Sequence, residues 1–317
     1  MTLENHIRTL GRGPGRSRSL TQDEAFEAMQ CVLDGAAPEA VGALLMLLRM
    51  KGETAEEIAG FVSATQSKIP KVSGVALDWP SYAAGRTRGL PWFLLSAKLV
   101  AMAGYPVLLH GWNGADQAVR EGLAPSSIET AKSPQDATTL IRDNGIAYLP
   151  LEVMSDDIFA LLNLRQVLGL RSCINTVARM LNPGRAPCSV QGVFHPSYRL
   201  LQADAATLMG WTSLSVIKGG GGEFERHPSK AIAAFGLRCK KSWQDDFPAM
   251  IDDSKRLTEV SDRREDLSDL WADKIHNPFA KAIVVGTAAL ALDTLGVSSP
   301  EQAAQNLWTS RNLAPAT

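Results

Sequence analysis

"LTQDEAFEAMQCVLDGAAPEAVGALLMLLRMKGETAEEIAGFVSAT", residues 20–65, carries two complete helix-start signals. Thr21 and Glu24 form a Thr-x-x-Glu pair, in which each side chain satisfies the other residue's backbone N–H. Leu20 stands where an apolar staple packs back onto the helix, and Phe26, Met29, Val32 and Leu33 follow at helical spacing. Thr54 and Glu57 repeat the device ahead of Ile58, Phe61 and Val62. Residues 38–52, between the two, are apolar nearly all round and predict a buried helix. Residues 1–66 are therefore expected to form a small all-helical domain.

From residue 72 the pattern changes. Short apolar or β-branched runs at 105–111, 146–150, 188–194 and 213–219 alternate with helical segments at 93–103, 134–143 and 198–209. The second helix has Ser133 as its cap and Pro134 in its first position. Such alternation predicts a large α/β domain with a mainly parallel central sheet. Ligands of such sheets bind outside the C-terminal ends of the strands. Gly111, Trp112, Asn113, the glycines of 219–222 and the loop 81–92 all fall at such ends. Residues 277–296 read as a long buried helix carrying small residues for close packing.

Composition places the chain among ordinary globular proteins, with 45% hydrophobic and 21% charged residues in 317. No apolar run reaches the ~18 residues of a spanning helix, and no charged-then-apolar leader opens the chain. Cytoplasmic location and no membrane contact are the expectations. Cys31, Cys173, Cys188 and Cys239 lack metal-site spacing and read as reduced thiols. The net charge of -1 hides a division. Residues 158–203 hold five arginines and no acid, whereas 243–273 hold ten acids against four bases.

Several motifs, in order, resemble the anthranilate phosphoribosyltransferases of glycosyltransferase family 3. The opening at 20–65 is similar to theirs. "AGYPVLLHGWN" (103–113) resembles their strand ending in Lys-His-Gly-Asn, and "LRQVLGLRSCINTVARMLNP" (164–183) their Val-Arg-x-x-Leu-Gly-x-Arg-Thr-x-x-Asn segment. "GVFHPSY" (192–198) and the glycines 219–222 follow in family order. The resemblance implies a small helical domain (1–66, rejoined by about 165–185), a large α/β domain (67–164 and 186–317), and a homodimer through the helical domain.

The same resemblance implies a damaged synthase site. Family enzymes hold the pyrophosphate of phosphoribosyl pyrophosphate on Gly-Thr-Gly-Gly-Asp-Gly followed by Asn-x-Ser-Thr. Here these positions read Ser81-Tyr82-Ala83-Ala84-Gly85-Arg86 and Pro91-Trp92-Phe93-Leu94. The aspartate has become Gly85, proline removes an amide donor, and tryptophan fills the space. The later Asp-Glu pair for magnesium is reduced to Glu223 and Glu225, two residues apart. His110 and Gly111 persist, and Arg165 matches the arginine implied for aromatic-acid binding.

The pattern resembles a paralogous group that keeps the fold, lacks synthase activity and binds nucleic acid with little sequence preference. The expected nucleic-acid or phosphate contacts are Arg12, Arg16, Arg18, Arg86, Arg88, Arg179 and Lys218. Ser81, Gly85, His110, Gly111, Asn113, Arg165 and Glu223 are the cleft residues implied. No side chain is nominated as catalytic or as a metal ligand. The partners expected are nucleic acid or another polyanion. The alternative is a divergent phosphoribosyl- or glycosyltransferase acting on an unidentified acceptor, in which case magnesium is the implied cofactor.

Overall fold

In the computed structural model, residues 2–13, 15–82, 89–114, 116–253 and 255–312 are described. Four helices open the chain: α1 (Leu3–Gly11), α2 (Gln22–Leu33), α3 (Pro38–Lys51) and α4 (Ala55–Lys68). Both expected capping boxes are formed. Glu57 does more than cap α4: its second oxygen accepts the Leu20 N–H at 2.9 Å, tying the entry of α2 to the start of α4. Leu20, the staple, is buried.

The helix at 38–52 departs from expectation. α3 buries one stripe, Val41, Leu44, Leu45 and Leu48, and leaves Met50 81% exposed. A helix apolar on all sides needs cover on all sides, and this chain supplies it on one.

His6 of α1 is buried, 3.8 Å from Glu27. Desolvation pulls its pKa below the ordinary 6.5, partly opposed by Glu27 and Glu24. Below pH 6.5 the unfolded chain therefore takes up a proton that the folded chain resists, so stability falls as pH falls through that window. A His6→Leu variant should lose this component, read as a smaller difference in urea midpoint between pH 5.5 and 7.5; an unchanged difference would place the titration elsewhere.

The remainder runs β1 (Leu77–Ser81), α5 (Phe93–Met102), β2 (Val107–Gly111), α6 (Ala118–Leu123), α7 (Pro134–Asn144) and β3 (Ile146–Pro150). Then come α8 (Leu151–Met154), α9 (Asp156–Asn163), α10 (Arg165–Leu168), α11 (Ile174–Arg179), β4 (Cys188–Val193), α12 (Tyr198–Leu208) and β5 (Ser213–Lys218). The chain closes with β6 (Ile232–Arg238), β7 (Lys241–Phe247), α13 (Glu265–Trp271), α14 (Pro278–Thr294) and α15 (Pro300–Ser310).

One seven-stranded sheet has the order β3-β2-β1-β4-β5-β6-β7, the first five strands parallel and the last two antiparallel. Alternate residues point to opposite faces. Leu108, Leu214 and Val216 join the core shared with the helical bundle, whereas Val107, Leu109 and Ile217 join the core under α5 and α14. α5 and α14 lie close together because the facing residues are small: the Ser96 hydroxyl donates to the Val284 carbonyl at 3.0 Å.

The β6–β7 hairpin turns at Cys239 and Lys240, both at positive φ (50° and 66°), as a tight hairpin with matching twist requires. β7 sets exposed Asp245 and Asp246 on the sheet edge, where charge discourages pairing with another chain. Part of the acidic stretch 243–273 is therefore an edge strand.

Candidate ligand-binding site

The strand order reverses direction around β1: β2 and β3 lie on one side, β4 and β5 on the other. A crevice opens where the chains leaving β1 and β4 diverge. Tyr82 follows β1, and Phe194 and His195 follow β4. All three line a cavity of about 360 Å³ at this point. Arg49 reaches it from α3, Arg165 from α10, Arg171 from the loop that follows, and Arg179 from the end of α11. Ser172, Asn175, Thr176 and Tyr198 add to its polar lining, with Val193 also in the wall. Four arginines therefore meet in a cavity lined by no carboxylate among the described residues.

Arg179 is the most constrained of them. Its Nη2 donates to the Tyr82 carbonyl at 3.2 Å, and its buried Nε has no hydrogen-bond partner among the described residues. Burial lowers the guanidinium's pKa, and the field of Glu223 works against that. Tyr82 is held from behind. Its hydroxyl meets His110 Nδ1 at 3.0 Å, His110 Nε2 lies 3.1 Å from Asp78, and Asp78 accepts the Ser189 hydroxyl at 2.8 Å. Burial raises the Tyr82 pKa well above its ordinary value, so the phenol stays neutral. His110 and Asp78 are both fully buried, so they hold the wall without lining the cavity.

A second constellation lies beside it. Glu223 Oε1 accepts from the Ser81 hydroxyl at 3.0 Å and from the Asn113 amide at 3.0 Å. Glu225 Oε2 accepts the Phe93 N–H, the first of α5, at 2.9 Å. A helix N-terminus attracts anions through its unpaired N–H groups and dipole, and here an internal carboxylate already lies against that end. Trp92, fully buried, precedes it. Glu223 and Glu225 serve different anchors despite their spacing. The glycines between β5 and Glu223 let this turn lie flat on the sheet: a β-carbon on Gly219 would overlap the Glu223 carbonyl oxygen.

A smaller cavity of about 240 Å³ adjoins the first, sharing Arg165 and Asn175, and is bordered by Trp112, Asn163 and Gln166. Trp112 is half-buried, edge-on to Phe159 with ring centres 5.0 Å apart and 4.9 Å from the Arg120 guanidinium.

The structure thus brings Arg165 and Arg179 into one cavity, and Ser81, Asn113 and Glu223 into one buried cluster. Gly111 ends β2 against Ser81, where a β-carbon would overlap the Ser81 carbonyl. Lys218 is exposed at the C-terminal end of β5, in register with Val193, and does not line the cavity. Arg12 and Arg16 are exposed beyond α1 and line neither cavity. Arg18 pairs with Glu24 at 2.6 Å. Gly85, Arg86 and Arg88 lie outside the described residues. Arg49 was not anticipated; its only local sign is a basic last turn in "LLRMK" (47–51). Tyr198 was expected as the first residue of the helix at 198–209 and in the 192–198 motif, but was not singled out as a site residue.

Comparison with known proteins agrees with this architecture. Residues 5–68 match the glycosyl transferase family, helical bundle domain. The chain is 29% identical over 231 residues to an uncharacterized protein of Aquifex aeolicus, covering 72% of each. It is 31% identical over 209 residues to an anthranilate phosphoribosyltransferase of Rhizobium rhizogenes, covering 64% of this chain and 61% of that enzyme. The match to the Rhizobium enzyme therefore spans under two thirds of that enzyme's length. Its fold superposes on the anthranilate phosphoribosyltransferase of Thermus thermophilus with a TM-score of 0.80 at 20% identity, over 97% of this chain and 93% of the other. The Saccharomyces cerevisiae enzyme, solved in complex with PRPP and Mg, gives 0.78 at 17% identity over 98% and 93%. Residues 5–68 thus match a glycosyl transferase family's helical bundle domain, and the chain as a whole has the anthranilate phosphoribosyltransferase fold.

Proposed function

We propose that this protein binds single-stranded nucleic acid through the arginine-lined crevice and does not carry out the synthase reaction. The observation that carries the reading is the convergence of Arg49, Arg165, Arg171 and Arg179 on one cavity with no lining carboxylate among the described residues. Guanidinium forks grip phosphate oxygens bidentately, and each phosphate neutralised releases condensed counterions. Trp112, which borders the adjoining cavity, is the aromatic placed to stack on an unpaired base. A net charge of -1 is compatible with this, because the acids are concentrated elsewhere in the sequence.

PRPP and magnesium do not fit the residues present. Glu225 stands at the α5 N-terminus, the position a phosphate would need, and Trp92 is packed beside it. Glu223 is engaged by Ser81 and Asn113. Among the described residues no three His, Cys, Asp or Glu side chains converge as a metal site. No transfer step is derived through either group.

Two copies joined through the helical domain would present two such crevices on one particle. The apolar groove of Val32, Leu33, Val41, Leu161 and Leu164 supports that arrangement. No described helix is long and apolar enough to cross a membrane, and a cytoplasmic location suits a nucleic-acid ligand.

The test is fluorescence anisotropy of a labelled single-stranded oligonucleotide, repeated across salt concentrations. Four phosphate contacts on a single strand give a slope of log K against log salt of roughly -3, and a loss of about fiftyfold between 50 and 200 mM. Binding that is absent at low salt, or insensitive to salt, would overturn the proposal.

A further inference from the structure

Between α14, α15 and the segment that ends β7 lies a cavity of about 310 Å³, which shares no lining residue with the crevice. Phe247, Pro248, Met250, Val285 and Ala289 give it apolar walls, and among the described residues Arg226 is the one cation lining it. Arg226 is 4% exposed. Its Nη2 donates to the Pro248 carbonyl at 2.6 Å, and its guanidinium lies 5.6 Å from the Phe247 ring centre. Its Nε is buried with no hydrogen-bond partner among the described residues. Gly286 leaves room for this stem on α14: a β-carbon there would overlap the Met250 sulfur and come within 3.2 Å of Arg226 Cδ.

A guanidinium brings five donors, and burying it with few of them satisfied is costly. Among the described residues the carboxylate whose field reaches it is Glu301, exposed on α15 at the rim and outside ion-pair distance. A buried cation at the base of an apolar cavity suits a ligand with one negative charge and an apolar body. Phosphate, strongly hydrated and doubly charged, would find no second cation there among the described residues.

We propose that the Arg226 cavity is a binding site for a small monocarboxylic acid with an apolar body, of the size of a single ring. The carboxylate accepts from the Arg226 guanidinium, the body lies against Val285, Ala289 and Met250, and Glu301 opposes binding from the rim.

Benzoate is the probe, with benzamide as its uncharged counterpart of the same shape. The readout is the Met250 methyl resonance, which reports on this cavity and not on the crevice. Benzoate should shift it in a saturable manner, and benzamide should bind at least about tenfold more weakly, because the bond to a charged partner is lost. Arg226→Met should abolish the preference for the acid. Glu301→Gln should tighten benzoate several-fold, and it keeps the question answerable if Arg226→Met does not fold. Equal binding of acid and amide, or a Glu301→Gln variant that binds benzoate no better, would overturn the assignment. Oligonucleotide binding by Glu301→Gln should match the wild type, so failure here and failure of the nucleic-acid reading are told apart.

Discussion

Replacing Arg49 and Arg165 together by alanine should weaken binding of a single-stranded oligonucleotide about a hundredfold at low salt. It should also flatten the salt slope by about 1.4, since each phosphate contact on a single strand contributes about 0.7. Two bonds to charged groups are removed, each worth roughly 1.5 kcal/mol or more, and 1.4 kcal/mol is a factor of ten. These two are chosen because both are exposed and come from separate elements, α3 and α10. Exposed substitutions of this kind leave stability within about 0.5 kcal/mol, so a loss of affinity reports on the contact. Arg179 is a poorer choice, because it also holds the Tyr82 carbonyl. The paired comparison is Arg12→Ala with Arg16→Ala, which line neither cavity. If that pair carried the slope and the crevice pair did not, the strand would run over the helical domain and the proposed track would be wrong.

What the sequence discloses depends on whether the determining interaction is local. The capping boxes at Thr21 and Thr54 and the Ser133 cap are written in adjacent residues and form as expected, and the run at 105–111 yields a strand over its last five residues. α3 reads as buried because periodicity reports where apolar residues lie and not whether anything covers them. β7 is obscured because its alternation is overwritten by the acids of an edge strand.

The site follows the same division. Arg165 and Arg179 are visible through motif order. Arg49 converges with them only through the packing of α3 beside the crevice, which no local signal encodes. His110 falls at a strand end, where ligands gather, yet its side chain turns into the core toward Asp78 and Tyr82. Glu225 is legible only as a carboxylate after glycines; that it lies against the N-terminus of α5 needs β5 and α5 brought together.

That closure gives the second large effect. Gly192→Ala should cost about 3 kcal/mol or more, lowering the melting temperature by roughly 4–5 °C or more. Gly192 lies on β4, and a β-carbon there would overlap the Glu223 carbonyl and the Phe224 nitrogen. Backbone on both sides cannot yield as a flexible side chain can, so the turn must lift from the sheet. Lifting it pulls Glu223 from Ser81 and Asn113, and Glu225 from the Phe93 N–H. It also draws Phe224 from its edge-on contact with Trp79, 5.4 Å between ring centres. Overpacking costs about 1–3 kcal/mol, and a half-broken buried polar network adds to it. Gly42→Ala is the internal control. Its β-carbon would make only an ordinary 3.8 Å contact with Leu168, in the middle of α3, so helix propensity should make it neutral or stabilising by up to about 1 kcal/mol. Calorimetric melting of the two variants decides the matter. A large loss for Gly192→Ala alone means that the turn carrying Glu223 and Glu225 is built rigidly against β4, and that the anion position at α5 is closed by the fold. Equal, small effects would mean that the turn gives way easily, and that a phosphate could displace Glu225 after all.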